Sequence, residues 1–307
     1  MKKVCCITPI NTPNYGTVLQ AFALQEAVKN GLGHEYIVLN YYSREQERKF
    51  SFWGTTKYMN SKYKIAKKVL YPLRKYQMTK ILNYQNVFTH MSERIETKEG
   101  LKSLKDVYDV FLVGSDQVWN NQEINHFDDA FFLAFAKGKL KIAYAASFGK
   151  TYSMLTKEDI AFYKKNLPLM DYISVREKTG VEIVKNIING NAQWVCDPVY
   201  LLDEKQWLKH CETPQFDNYI LVYLVGDGIN FDVNSKIVKK AKAFGKAKQK
   251  KVVVVGIGLS SILYGAFRTP TVEQWLGLIK NADLIMTNAF HGTAFATIFK
   301  KNFISFV

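Results

Sequence analysis

The sequence predicts an α/β fold built on two parallel sheets. Short apolar runs recur along the 307-residue chain, and segments with helical spacing separate them. Several runs, such as KVVVV and YILVYLV, are apolar without alternation, as expected for strands that are covered on both faces. Strands that alternate with helices in this way pair in parallel through right-handed crossovers.

The predicted elements follow one another in a regular order. Helices are predicted over TVLQAFALQEAVKN after the first strand, over EKTGVEIVKNIING after DYISVR, and over TVEQWLGLIKNA before DLIMTN. The predicted strands, in chain order, are VCCITPI, EYIVLN, YDVFLVG, KIAYAAS, DYISVR, QWVCD, YILVYLV, KVVVVGIG, DLIMTN and NFISFV.

Two domains are expected. The polar stretch from His210 to Asn218 contains a proline and precedes a fresh strand, so we place a boundary between residues 1–212 and 213–307. Residues 44–105 are basic, aromatic and helical in spacing, and are interpreted as an insertion that forms a lid or an acceptor-binding surface. The final run NFISFV has no helix after it, which indicates a C-terminal domain that is incomplete at its C-terminus.

The charge balance favours anionic partners. Lys and Arg number 42 against 27 Asp and Glu, for a net charge of +15. The excess is concentrated in residues 44–105 and in the acid-free run from Lys236 to Lys251. Phosphate-bearing substrates, anionic lipid head groups or nucleic acid would suit such a surface, and the alternative is a solvated face that keeps the protein soluble.

The cysteines and the apolar runs give no indication of a zinc-binding, disulfide-rich or membrane-spanning protein. Cys5 and Cys6 lie in a predicted strand, and no cysteine spacing indicates a zinc site or a disulfide framework, so reduced core residues in a reducing compartment are expected. The N-terminus is interpreted as a first strand and not as a signal peptide. No run of about 18 apolar residues suggests a membrane-spanning helix.

Ligands of open parallel sheets bind beyond the carboxyl ends of the strands, so the residues there are the candidates. After YDVFLVG come a carboxylate, amides and an indole, which can hydrogen-bond sugar hydroxyls and cover a sugar face. The alternative is an Asx turn with the indole in the core. These residues are Ser115, Asp116, Gln117, Trp119 and Asn120.

Two further strand ends carry candidates. Arg176 ends the run DYISV, where a guanidinium can bind a carboxylate or phosphate in bidentate fashion. The alternative is a salt bridge with Glu177 or a neighbouring helix. After the first strand, Gly16 permits a tight turn and Thr17 can cap the helix that follows.

The segment TNAFHGTAF joins a strand to a helix. The N–H groups at the start of a helix attract anions, and Gly292 would let a ligand approach the backbone beside Thr293. His291 would then donate a proton near neutral pH, the alternative being a capping or packed histidine. The glycine pairs at 226–228 and 256–258 do not complete a dinucleotide motif, and no histidine spacing suggests metal ligation.

An ordered set of segments resembles the polysaccharide pyruvyl transferase family. The set runs from near residue 14 to the end of the chain. The resemblance implies two Rossmann-like domains with parallel sheets facing a cleft, similar to the GT-B glycosyltransferases. It also implies transfer of the pyruvyl group of phosphoenolpyruvate onto a sugar as a cyclic ketal, with no metal and no cofactor. The segments are NYGTVLQAFAL, VGSDQVWN, AASFG, SVREKTG, VCDPVYLL and TNAFHGTAFATIFKKNFISF.

The resemblance also implies site residues. It assigns acid/base catalysis to His291 and the anion clamp to Arg176. Asp116 would hold the sugar or assist proton removal from its hydroxyl. The pattern departs from the family at Ala289, where many members carry Arg or Ser. The remaining expected substrate contacts are Gly292, Thr293, Asn288, Gly16, Ser115, Gln117, Trp119 and Asn120.

The expected partners are phosphoenolpyruvate and a sugar acceptor, either a glycan or a lipid-linked oligosaccharide. The resemblance implies a cytoplasmic enzyme with peripheral contact to an anionic membrane at the inner face, and no nucleic acid partner. Two alternatives stay open. One is a GT-B glycosyltransferase that uses a nucleotide sugar, and the other is a non-enzymatic protein that binds polyanions through residues 44–105.

Overall fold

The computed structural model describes residues 1–41, 69, 71–122, 126–226, 231–256 and 269–306, and they form two compact units. Unit 1 comprises the described residues within Met1–Asn11, Leu19–Gly54 and Phe88–Leu201. Unit 2 comprises those within Thr12–Val18, Thr55–Val87 and Leu202–Val307. The chain therefore passes into unit 2 after Leu201, whereas the sequence predicts the boundary after residue 212. Gly228, Gly258 and residues 44–68 and 70 of the predicted insertion lie outside the described residues.

Unit 1 is built on a seven-stranded sheet in which all strand pairs are parallel. The strand order is β3-β2-β1-β4-β5-β6-β7. Its outer strand β3 falls within residues 44–105, so the described part of that segment is not helical throughout. The strands are β1 Lys3–Ile7, β2 Glu35–Tyr41, β3 Met91–Ile95, β4 Val110–Val113, β5 Leu140–Ala146, β6 Tyr172–Val175 and β7 Gln193–Trp194.

Helices cover the first sheet because they are amphipathic. The residues Ile183, Val184 and Ile187 recur at helical spacing, are buried and belong to one core cluster with strand residues such as Phe111. The helices that contribute to unit 1 are α1 Tyr15–Glu26, whose first turn belongs to unit 2, α3 Lys98–Ser103, α4 Lys157–Asn166 and α5 Lys178–Ile188.

Unit 2 contains a four-stranded parallel sheet in the order β11-β10-β8-β9. Every residue of the central strand β8 is buried, which explains its unbroken apolar sequence. The strands are β8 Tyr219–Leu224, β9 Lys251–Gly256, β10 Leu284–Thr287 and β11 Phe303–Ser305. The helices are α2 Tyr71–Phe88, nearly all in this unit, α6 Glu204–Leu208, α7 Phe231–Ala247, α8 Val272–Asn281 and α9 Phe290–Ile298.

Each sheet has a topological switch point, where the chain leaves two neighbouring strands in opposite directions along the sheet. In unit 1 the switch point lies between β1 and β4, and in unit 2 it lies between β8 and β10. Ligands of open α/β sheets bind outside the carboxyl ends of the strands at such points. The predicted α/β class with parallel sheets is confirmed, and these two positions are where a site is expected.

The cysteines occupy different environments. Cys5 and Cys6 are fully buried in β1, as predicted for core residues, and burial raises the pKa of the Cys6 thiol to about 12. Cys196 is exposed, and all four cysteines are free thiols. No helix in the described part of the chain is both long enough and apolar enough to cross a bilayer.

Candidate functional site

The switch point of unit 1 is filled by the side chain of Gln20. This residue of α1 is fully buried, and its amide donates to Thr8 Oγ1 after β1, at 2.8 Å. Its carbonyl oxygen accepts from the Ser115 N–H after β4, at 3.1 Å. One side chain thus bridges the ends of both strands.

A buried ionic cluster lies beside that bridge. Arg176 at the end of β6 donates from Nη1 to Asp197 Oδ2 at 2.8 Å and from Nη2 to Asp116 Oδ1 at 3.1 Å. Ser115 Oγ also donates to Asp197 Oδ2, at 3.0 Å. The Arg176 side chain is only 9% exposed and the Asp197 side chain is not exposed at all. The cluster ties the ends of three strand–loop segments together.

The electrostatics of this cluster do not favour an anion. Two carboxylates face the Arg176 guanidinium directly, and the Glu177 carboxylate lies 3.9 Å from its Nε. Burial raises the pKa of Glu177, although Arg176 acts in the opposite direction. The alternative interpretation of Arg176 as a salt-bridge residue therefore describes this geometry, with Asp116 and Asp197 closer than Glu177. An anion clamp would have to displace these partners.

The turn after β4 is hydrogen-bonded within itself. Asn120 Nδ2 donates to Gln117 Oε1 at 2.9 Å, and the Gln117 N–H donates to Asp116 Oδ1 at 2.9 Å. Trp119 is fully buried, stacks on Phe132 at 5.2 Å and donates from Nε1 to a backbone oxygen. The expectation that Trp119 covers a sugar face is wrong, because its indole is packed in the core.

At the switch point of unit 2, helix α9 starts directly after β10. It begins at Phe290, with Ala289 as an N-cap that makes no side-chain hydrogen bond. The Thr293 N–H already donates to Ala289 O at 3.2 Å, so the N–H groups that precede the helical ladder are those of residues 290–292. The helices α4, α6 and α8 each carry a capping box instead.

His291 lies in this first turn and is only 7% exposed. Its ring is packed edge-to-face with Phe290 at 5.0 Å between centroids. A histidine here stands at the positive end of the α9 dipole, at the carboxyl edge of the sheet. The position can bring a proton donor and an anion-binding helix end to the same ligand.

Asn288 connects the two strands of this switch point. Its Oδ1 accepts from the Val225 N–H at 2.9 Å, and its Nδ2 donates to Val225 O at 2.9 Å and to Asn234 Oδ1 at 3.0 Å. Both amide hydrogens are therefore committed within unit 2. Asn288 holds the end of β8 against the end of β10, and its expected contact with substrate stays a prediction.

Gly292 has a packing reason to be glycine. A Cβ atom at this position would lie 2.4 Å from Thr287 Oγ1 and 2.8 Å from the Tyr223 ring. The atoms that approach Gly292 closely thus belong to the sheet under α9. From the sequence, a ligand was expected to make this approach. Thr293 Oγ1 donates to Ser305 Oγ at 3.3 Å.

Gly16 belongs to unit 2 and meets His291. Helix α1 starts at Tyr15, and the Gly16 N–H donates to Asn14 Oδ1 at 2.9 Å, so Asn14 provides the cap that was expected from Thr17. A Cβ atom at Gly16 would lie 2.0 Å from His291 Nδ1. The structure therefore brings Gly16 together with His291 in unit 2. Arg176, Asp116 and Ser115 come together in unit 1.

Sequence reasoning missed several residues of these clusters. Asp197 follows the predicted strand QWVCD, so the rule that strand ends share one edge could have included it. Gln20 lies inside the predicted helix TVLQAFALQEAVKN and carries no signal of its own. Within the described ranges, no three His, Cys, Asp or Glu side chains are grouped so that they could hold a metal ion.

Comparison with known proteins gives a family and a fold. The family model of polysaccharide pyruvyl transferase matches residues 14–307. No curated protein matches the chain.

Solved structures match over nearly the whole chain. A putative UDP-N-acetylglucosamine 2-epimerase from Listeria monocytogenes matches with a TM-score of 0.56 and 11% identity, over 99% of this chain and 78% of its own. The S. aureus MnaA–UDP co-structure gives a TM-score of 0.53 and 13% identity, over 99% and 79%. An alpha-glucosyltransferase in complex with UDP and DNA gives 0.50 and 10%, over 93% and 72%. At these identities the likeness shows the fold alone, which is that of the GT-B proteins.

Proposed function

The chain belongs to the polysaccharide pyruvyl transferase family, and we propose that it transfers the pyruvyl group of phosphoenolpyruvate. The acceptor in this proposal is a sugar of a surface or capsular polysaccharide, or of its lipid-linked precursor. The observation that carries the proposal is the position of His291 in the first turn of α9, at the switch point of unit 2.

The reaction requires one proton donor and one anion site. Protonation of the methylene carbon of phosphoenolpyruvate makes the neighbouring carbon electrophilic, and a sugar hydroxyl attacks that carbon. The bond between this carbon and the phosphate oxygen then breaks, and a second hydroxyl of the sugar closes the ketal. Of the two hydroxyl protons, one replaces the proton used on the methylene carbon and the other leaves with inorganic phosphate.

In this proposal His291 gives the proton to the methylene carbon. The N–H groups of residues 290–292, together with the α9 dipole, hold the phosphate. A general acid in this role contributes roughly 10²–10⁴ in rate. The roles of Arg176 and Asp116 stay predictions from the resemblance, and what supports Asp116 is that Arg176 fixes its carboxylate in one position.

Substitution at Ala289 tests the phosphate position. Ala289 is buried and has the extended backbone of an N-cap, and Asn and Asp are both preferred residues at that position of a helix. We expect Ala289→Asn to weaken phosphoenolpyruvate binding, because a capping side chain takes one of the N–H groups assigned to the phosphate, and Ala289→Asp to weaken it by about tenfold more through charge repulsion. Calorimetric titration of both variants measures this, and equal affinities in the isosteric pair would contradict the phosphate position.

The same calorimetry separates the donors. We expect phosphoenolpyruvate to bind, and UDP, GDP and CMP sugars not to compete with it. If a nucleotide sugar binds and phosphoenolpyruvate does not, the protein is a GT-B glycosyltransferase and the proposed donor is wrong.

The lysine face of α7 supports peripheral contact with an anionic membrane, which would place the enzyme in the cytoplasm at the inner face. Six lysines of the run from Lys236 are exposed, and among the described residues none of them lies within 4.0 Å of a carboxylate. Lysines near such a surface contribute about 1 kcal/mol each. They are Lys236, Lys239, Lys240, Lys242, Lys246 and Lys248.

Vesicle sedimentation tests this contact. Replacing the six lysines by Gln should abolish binding to phosphatidylserine vesicles, and replacing six exposed lysines of unit 1 should not. Equal losses would show that only the net charge matters, and tighter binding to DNA than to vesicles would favour the polyanion alternative. The control lysines are Lys105, Lys137, Lys157, Lys164, Lys165 and Lys185.

A further inference from the structure

Gly16 is a glycine that its local backbone does not require. It lies in the first turn of helix α1, and its φ angle is not in the left-handed region. Glycine is a poor helix former, and alanine would suit this position better. The reason for the glycine must therefore lie in a tertiary contact.

The contact is with the imidazole of His291. A Cβ atom built on Gly16 would lie 2.0 Å from Nδ1, 2.1 Å from Cγ and 2.6 Å from Cβ of His291. No real Cβ atom approaches other heavy atoms so closely. The Nδ1–Cγ edge of the ring thus lies directly against the Gly16 backbone.

The Gly16 side of the contact cannot move away easily. Its neighbour Tyr15 is fully buried and stacks on Trp275 with centroids 5.1 Å apart and planes 2° from parallel. The Tyr15 hydroxyl donates to Pro270 O at 2.9 Å. These contacts all lie within unit 2 and fix the start of α1 there.

The His291 side is equally constrained. The next residue, Gly292, already sits so close to Thr287 and Tyr223 that a Cβ there would have no room. The first turn of α9 therefore lies closely packed against the sheet. An atom added at Gly16 therefore requires rotation of the His291 imidazole, to relieve the contacts with Nδ1 and Cγ, and a small backbone shift, to relieve the contact with Cβ.

We propose that Gly16 is the positioning residue of His291, and that its missing side chain sets the rotamer of the imidazole. With the Nδ1–Cγ edge against Gly16, Nε2 lies on the opposite side of the ring, where it is buried in the free protein. The contact between Gly16 and His291 does not depend on any substrate. Its effect on catalysis rests on the proposed function, in which His291 is the proton donor.

A double-mutant cycle on thermal stability tests the contact. Gly16→Ala should lower Tm by about 3 °C in the wild-type background, because overpacking strains the site. In the His291→Ala background the same change should lower Tm by clearly less, because the contacts with Nδ1 and Cγ are gone and only the contact with the Cβ of residue 291 remains. Additive effects in the cycle would overturn the inference.

Gly31→Ala is the matched control. No atom lies within 4 Å of a Cβ built at Gly31, so this change should have the same effect on Tm in both backgrounds. A difference between backgrounds at Gly31 as large as that at Gly16 would also overturn the inference.

Imidazole ¹⁵N spectra separate this inference from the proposed function. The chain has five histidines, and the His291 signals are those missing in His291→Ala. Gly16→Ala should shift the His291 signals, and Gly31→Ala should not. Adding phosphoenolpyruvate should shift them in the wild type. If the cycle shows coupling but phosphoenolpyruvate shifts nothing, the positioning role stands and the proposed function fails.

Discussion

The switch points of the two units share a topology and differ in chemistry. In unit 1, Gln20 bridges the strand ends and Arg176 is enclosed by Asp116 and Asp197. In unit 2, Asn288 ties the strand ends, but the helix that follows has no side-chain cap and carries His291 in its first turn.

The difference shows what turns a switch point into a candidate site. Polar side chains at a strand end do not suffice, because in unit 1 they satisfy one another and the net charge of the cluster is negative. The unit 2 switch point combines a positive helix end with a side chain able to transfer a proton. The comparison supports the chemistry proposed for the second cluster, and the roles of Arg176 and Asp116 in the first stay predictions.

The largest expected effect comes from His291→Ala. If unit 2 holds the chemistry, this change should lower turnover by roughly 10²–10⁴ while the protein stays folded. Release of inorganic phosphate from phosphoenolpyruvate, in the presence of a sugar acceptor, measures it. The exposed His90 of unit 1 provides the control, because His90→Ala should leave turnover unchanged. A His291→Ala enzyme of near-normal rate would break the comparison.

The next effect concerns stability. Arg176→Ala leaves Asp116 and Asp197 as uncompensated buried charges, so the free energy of unfolding should fall by about 3–5 kcal/mol. Urea denaturation measures it. Arg94→Ala removes an exposed pair with Glu96, whose side chains are 48% and 64% exposed, and should cost less than about 1 kcal/mol. If Arg176→Ala unfolds like the wild type but loses phosphoenolpyruvate binding, the guanidinium is an anion clamp after all.

A smaller effect is expected at the uncapped helix. Ala289→Ser supplies the missing side-chain cap of α9 and should raise the free energy of unfolding by about 1 kcal/mol. Urea denaturation of the whole protein measures it. Ala243→Ser, at an exposed position of α7, should be neutral or slightly destabilising. A stability gain at Ala243 equal to that at Ala289 would mean that capping is not the cause.

The last prediction concerns how the free energy of unfolding changes with pH. The folded state raises the pKa of Glu177, chiefly by burial, so it binds more protons than the unfolded state as the pH rises above about 4. The contribution of Glu177 to the free energy of unfolding therefore decreases as the pH rises over that range, and Glu177→Gln should remove this decrease. Unfolding free energies between pH 4 and pH 7 test it, with the exposed Glu182→Gln as control. A Glu177→Gln curve parallel to that of the wild type would contradict the prediction.

Much of the fold could be predicted from the sequence. The ten predicted runs all contain strands. The central ones carry unbroken apolar sequence because they are buried, whereas every residue of the outer strands Gln193–Trp194 and Phe303–Ser305 is exposed. The strand Met91–Ile95 was missed because its sequence, MSERI, is polar at three central positions and none of its residues is buried. An outer strand of this kind has no periodic signal that separates it from a loop.

The candidate site could be predicted only in part. The strand-end rule found Arg176, Asp116 and His291, but it could not say which polar groups would pair with one another. Gly16 was expected to serve a turn, and its contact with His291 arises from residues at opposite ends of the chain. Such pairings depend on tertiary packing, for which local patterns carry no information.

The uneven burial of the cysteines has a practical consequence. Alkylating reagents attack thiolates, and burial raises the pKa of Cys5 and Cys6 as well as that of Cys211, the last to about 11. Cys196 is exposed and directly precedes Asp197. A maleimide dye at neutral pH should therefore label the native protein at this position alone, without any engineered cysteine. Its fluorescence would report the opening of the Arg176 cluster separately from events in the other unit.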